Sequence, residues 1–204
     1  MELSSGGEGG LEELLTIVKE SSIRAVRNAV SALSAILESK IRLQSCSLHM
    51  VRPEEVLDYI GSTFSSIIGV VSKFRGVVEG YLLLIFDIEH AENLLDRLFK
   101  RHLNSSFKDT DNSVKIDALR EVGNIIAGNF LSEIGNALRK RVDYSIPEVK
   151  ADFLPALVDP ICIALALKES KVLMLDTDFQ LENGDLRLNL IFFLSSSKPS
   201  EGSR

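Results

Sequence analysis

The chain has 204 residues, 45% hydrophobic and 25% charged, with a net charge of −6. That composition is globular and excludes a disordered chain, and its acidic balance, with no basic stripe, argues against nucleic-acid binding, which needs a Lys/Arg excess. Apolar runs such as YLLLIF and ICIALAL are too short to span a bilayer. The opening MELSSGGEGG lacks both parts of a signal peptide, so a soluble cytoplasmic protein is expected. Two cysteines, Cys46 and Cys162, cannot make a disulfide framework and are expected as buried reduced thiols.

In chain order, residues 1–10 are Ser/Gly-rich and predict a flexible tail. From Leu11 to Ser39 apolar residues (Leu15, Val18, Ile23, Val26, Val30, Leu33, Leu37) recur at helical spacing. KIRLQSCSLHMV alternates as a half-buried strand, and RPEEVLDYIGSTF reads as a short helix. SSIIGVVSKF and VVEGYLLLIFDI predict paired strands turning near Arg75-Gly76, and HAENLLDRLFKRHL another short helix. A long helix follows from Ser113 to Lys140, introduced by the DTDNS loop with Asp111 or Ser113 as its cap. VDYSIPEVKADF predicts a strand interrupted by Pro147. PICIALALKE, KVLMLDTDFQLE and DLRLNLIFFLS predict three closing strands, with KES and NGD as turns. Residues 196–204 predict a second flexible tail.

ESSIRAVRNAVSALSAILESKIRLQSC overlies EVGNIIAGNFLSEIGNALRKRVDYSIP without a gap, placing Glu20 on Glu121, Asn28 on Asn129, Ser31 on Ser132 and Leu37 on Leu138. SIIGVVS then overlies ICIALAL, and GYLLLIFD overlies KVLMLDTD. One unit is therefore written twice, in halves of about 11–104 and 113–195. Neither half can bury its strand faces alone. The expected fold is a single α+β domain over 11–195 with pseudo-twofold, duplicated helix–strand–strand units: two long helices packed on a mostly antiparallel sheet.

The second long helix carries Gly123, Gly128 and Gly135, although each interior glycine costs about 1 kcal/mol against alanine. On a helical wheel Leu119, Val122, Gly123, Ile126, Phe130, Ile134 and Ala137 form a core stripe. Asp117, Glu121, Asn124, Gly128, Leu131 and Gly135 gather opposite, which makes Glu121 and Asn124 neighbours one turn apart. Gly123 is then expected to permit close packing inside. Gly128 and Gly135 are expected to clear the outer face for a macromolecular partner, with a structural use in helix–helix packing as the alternative.

The pattern Asp117-x3-Glu121-x2-Asn124, with Pro147 downstream and EVGNIIAGN at its centre, resembles the CheC/CheX/FliY family of chemotaxis phosphatases, CheC most of all. The resemblance runs from about Leu11 to Ser195. It implies hydrolysis of the aspartyl phosphate on the response regulator CheY, which brings its own Mg²⁺ and lysine, so no intrinsic cofactor is expected. Carried over, Asn124 would orient a water in line with phosphorus and Glu121 would pair with the CheY lysine. Asp117 would support Glu121 or meet a basic group, with Gly128 beside them in the substrate contact. The family also implies CheD as a partner, and an adaptor joining CheD to phosphorylated CheY is the alternative function. A flagellar switch component like FliY is disfavoured by the expected absence of extra terminal segments, and a monomer is expected.

The first half departs from this pattern. It keeps Glu20 but has Ile23 where the asparagine would fall, Arg27 in place of Gly128 and Cys46 in place of Pro147. Isoleucine cannot orient water, so one working site is expected, in the second half, with Glu20 a surface residue. His49, His90 and His102 are scattered and predict no metal site; no phosphate-binding glycine motif occurs. Lys73 and Arg75 read as ordinary surface charges at a turn, with contact to an acidic partner as the alternative.

Overall fold

The computed structural model describes residues 8–60, 66–168, 170–182 and 186–195. Helix α1 (Glu8–Leu37) leads to strand β1 (Ile41–Val51), the short helix α2 (Val56–Ile60), β2 (Ser66–Gly76) and β3 (Gly80–Asp87). Helix α3 (Ile88–His102) then joins the second half: α4 (Asn112–Leu138), β4 (Val142–Tyr144), β5 (Glu148–Phe153), α5 (Leu154–Ala166), β6 (Val172–Leu181) and β7 (Arg187–Ser195). Residues 8–10, expected in the tail, are the first turn of α1. The expected tails over 1–7 and 196–204, the GST stretch after α2 and the NGD turn lie outside the described residues.

The described residues build a seven-stranded sheet in the order β1-β6-β7-β3-β2-β4, with β5 also on β2. Every pairing is antiparallel. β3 and β7 meet at the centre, and outward from them the order reads alike in both directions. The two halves exchange their first strands: β1 pairs β6 of the second half, and β5 pairs β2 of the first. The hairpin β2–β3 thus corresponds to β6–β7. Ser72 and Thr177 are its matching buried hydroxyls, Phe74 and Phe179 its matching buried aromatics.

This corrects the expected repeat. ICIALAL is not a strand: it lies in α5, which covers the second face of the sheet together with α2. Each unit is helix–strand–helix–strand–strand, with α2 and α5 corresponding, and SIIGVVS matches β6 instead. An uninterrupted apolar run does not reveal its period. Here it serves a helix whose inner side buries Leu157, Val158, Ile161 and Leu165 while Ile163, and Leu167 at the C-cap, face outward.

The long helices pack on the other face with α3, over Val70, Phe74, Leu82, Leu84, Leu175, Leu190 and Phe192. Phe130 of α4 tilts against Phe192 with ring centres 5.0 Å apart, and Phe192 stacks on Phe74 at 5.1 Å. These fully buried rings each contribute about 2–3 kcal/mol of apolar burial and fix α4 over the centre of the sheet.

Candidate functional site

Helix α4 is seated by its core stripe and by its neighbours. Leu119, Val122, Ile126, Phe130 and Ile134 are buried as expected; Ala137 is half-buried. Asp111 is the N-cap, but its side chain makes no capping bond. At the far end Arg139 turns left-handed (φ 52°), and the Lys140 amide donates to the Gly135 carbonyl at 3.0 Å. Alongside, Glu133 accepts from Arg24 Nε at 2.8 Å and Asn28 Nδ2 at 3.2 Å, tying α4 to α1.

Glu121 is exposed and Asn124 half-buried on the outer flank of α4. Among the described residues neither the Glu121 carboxylate nor the Asn124 amide has a hydrogen-bond or ion-pair partner. Asp117 pairs instead with Arg120 on its own helix, not with Glu121.

The glycines divide differently from expectation. Gly123 does face inward: a Cβ there would stand 2.5 Å from Val70 Cγ1 and 3.4 Å from Pro147 Cβ. Gly128 and Gly135, however, do not clear a face for a partner. A Cβ on Gly128 would meet the Tyr144 hydroxyl at 2.9 Å, and one on Gly135 the Lys140 carbonyl oxygen at 2.8 Å. Gly135 is buried, as is Leu131, which was placed on the outer face. The space belongs to the chain's own β4 region, which runs beside α4.

That flanking segment runs from Tyr144, the last residue of β4, through the break at Ser145 to Pro147 that precedes β5. Proline cannot donate to a ladder, and the strand duly stops around Pro147. The Ser145 amide donates to the Lys73 carbonyl at 2.8 Å, and the Lys73 amide donates to Ser145 Oγ at 3.1 Å. Pro147 is buried against Gly123, while Ile146 between them is 78% exposed. Sequence reasoning singled out Pro147 but missed Tyr144, Ser145 and Ile146. The signal available was an extended YSIP run ending on the motif proline.

On α1 the counterpart positions of Asn124 and Gly128 carry different side chains. Glu20 and Arg27 are exposed. Ile23, assigned to the apolar stripe, is instead 50% exposed at the position matching Asn124. The buried polar groups of this helix are Ser21 and Ser22, whose hydroxyls bond back to Val18 O at 3.2 and 2.7 Å.

Elsewhere, Cys162 is buried, and burial, aided by Asp159, pushes its thiol up to about 11. Cys46, expected to be buried, is exposed because β1 is an edge strand. Asp176 on β6 is held above the ordinary carboxylate range by burial and by Asp178, with His49 opposing. Lys73 lies over the Tyr81 ring at 5.9 Å. Beside the first turns of α4 a cavity of about 260 Å³ is lined by Ile68, Ile88, Phe107, Ile116 and Val149. Among the described residues no three His, Cys, Asp or Glu side chains converge as metal ligands, and no helix is long and apolar enough to cross a membrane.

The family model described as chemotaxis phosphatase CheX matches residues 67–157, the stretch that contains α4, the β4–β5 break and their strand partners. The chain is 23% identical over 169 residues to the CheY-P phosphatase CheC of Bacillus subtilis, covering 81% of this chain and 79% of that protein. In sequence the chain is similar to the CheC/CheX/FliY family. The fold agrees with that similarity. FliY of Thermotoga maritima superposes with a TM-score of 0.61 at 16% identity, covering 91% of this chain and 90% of that one. The CheX of a CheX–CheY–BeF3–Mg²⁺ complex from Borrelia burgdorferi gives 0.53 at 20% identity, over 85% and 97%.

Proposed function

We propose that this chain hydrolyses the aspartyl phosphate of phosphorylated CheY through one site, Glu121 and Asn124 on α4. The observation that carries this reading is that the two side chains sit one turn apart on the outer flank, with no intramolecular partner among the described residues. The match to a CheX captured with CheY supports the partner.

Phosphoryl transfer passes through a loose transition state, so catalysis is mostly positioning and charge stabilisation. The Asn124 amide both donates and accepts, so it holds a water without placing negative charge beside the phosphate. That water attacks phosphorus as the P–O bond to the CheY aspartate breaks; the aspartate leaves as a carboxylate, and inorganic phosphate keeps one of the water's protons as its new hydroxyl while the other passes to a phosphate oxygen or to solvent. Glu121 pairs with the CheY lysine in a charge-assisted contact. Mg²⁺ comes with CheY and no metal of the chain's own takes part. Asp117, held by Arg120, meets the partner beyond Glu121 rather than supporting it. Gly128 contributes through Tyr144, whose hydroxyl it admits to the helix flank. The reading includes a cytoplasmic monomer that also binds CheD, tested by light scattering and co-purification.

Phosphate release from phosphorylated CheY tests the central claim. Asn124→Ala is expected to lose about 10²-fold in kcat, the scale of a lost positioning contact. Equal rates for wild type and variant would overturn it.

A further inference from the structure

We infer that Ile146 is the docking residue that seats phosphorylated CheY on this site, an apolar knob that inserts into an apolar surface of the receiver domain beside its phosphorylated aspartate. The inference rests on the function proposed above.

Three observations carry it. First, Ile146 is 78% exposed although it is apolar and both its neighbours are engaged. Ser145 is clamped to Lys73 by two hydrogen bonds at 2.8 and 3.1 Å, and Pro147 is buried against Gly123. The knob is thus held by backbone already ordered, so little conformational freedom is lost when it is covered. Second, its segment flanks the site. Tyr144 reaches Gly128 and Pro147 reaches Gly123, so the run between them passes alongside the turn that carries Asn124. A partner admitting Asn124 from this side meets Ile146 as well, and apolar anchors dominate the binding energy of such interfaces.

Third, the pseudo-symmetric half lacks it. Cys46 stands where Pro147 does, so Ser45 stands where Ile146 does. There β1 runs on past Ser45 and Cys46 with only a register shift between Leu43 and Ser45, and no break projects a side chain. The half with Ile23 in place of asparagine carries serine, and the half with Glu121 and Asn124 carries the exposed isoleucine. Knob and polar pair occur together.

The test uses the full chain with Mg²⁺- and BeF3-loaded CheY for binding and phosphorylated CheY for turnover. Covering an isoleucine on association is worth about tenfold or more in affinity. Ile146→Asp is therefore expected to raise Kd and KM about tenfold with kcat within about twofold of wild type. Ile146→Ser, which copies the first half, is expected to fall between. Ile163→Asp, an equally apolar exposed position on α5 across the sheet, controls for general surface effects and should leave both constants unchanged. Unchanged Kd and KM in Ile146→Asp, or an equal loss in Ile163→Asp, overturns the inference. Asn124→Ala separates the two levels. Retained binding with lost turnover supports the catalytic reading whatever Ile146 does, and failure of wild type to bind loaded CheY overturns both.

Discussion

Gly123 of α4 and Pro147 of the β4–β5 break touch across the helix–sheet seam: a Cβ on Gly123 would lie 3.4 Å from Pro147 Cβ and only 2.5 Å from Val70 Cγ1. Val70 is a short, branched, buried side chain on an inner strand, so it cannot swing away. Gly123→Ala is therefore expected to destabilise the protein by about 1–3 kcal/mol, the usual cost of overpacking a core, despite the alanine's better helix propensity. A urea denaturation series reads the loss. Because the clash falls on the residue next to Asn124, turnover should fall along with stability.

Gly128→Ala should behave differently. Its Cβ would meet the far end of the Tyr144 side chain at 2.9 Å, and a half-buried phenol can shift. The helix meanwhile gains up to about 1 kcal/mol from the substitution. Stability is expected to be unchanged or slightly raised. Gly135→Ala meets backbone, the Lys140 carbonyl oxygen at 2.8 Å, and should lose about 1–2 kcal/mol. Thermal unfolding of the two variants side by side checks the ordering.

Much of this arrangement is legible in the amino-acid string and some is not. The long helices show their period because each has one wet and one dry side, and the Glu121–Asn124 adjacency follows from the turn angle alone. α5 hides because Ile163 and Leu167 are apolar on the wet side, which erases the contrast that a period needs. The exchange of β1 and β5 hides because their alternation suits either hairpin. The use of Gly128 was unreadable for a related reason: its neighbour Tyr144 comes from another element, and nothing local to the helix announces it.

Asp176 predicts a pH effect on stability. Burial and the Asp178 carboxylate raise its folded-state affinity for a proton, and His49 opposes them. Asp178 itself leans on Arg187 at 3.6 Å. With its folded pKa above the unfolded one, Asp176 binds protons more readily when folded, so its charge weakens the fold as pH rises past that value. Asp176→Asn is expected to stabilise at pH 7 by up to about 1 kcal/mol, the common range for such charge changes. The difference should shrink as pH falls towards the ordinary carboxylate range. Melting temperatures of both proteins across pH 4–8 test it, and a gain that grows on acidification would contradict it.

The two thiols should separate cleanly. Burial and then Asp176 raise the Cys46 pKa, but the residue is exposed. Cys162 is buried with its pKa pushed up to about 11. Since the thiolate is the reactive species, a disulfide reagent at pH 8 should label Cys46 slowly and Cys162 only after denaturant is added. Mass spectrometry of the native protein should find a single adduct.

The swapped first strands bear on ancestry. Neither half supplies its own outer ladder, since each terminal strand is lent across the centre line. A lone ancestral unit would have closed its sheet only by embracing a twin. In the fused chain both long helices cover the sheet, yet their outer flanks are not equivalent: the first has Ile23 where the second has Asn124.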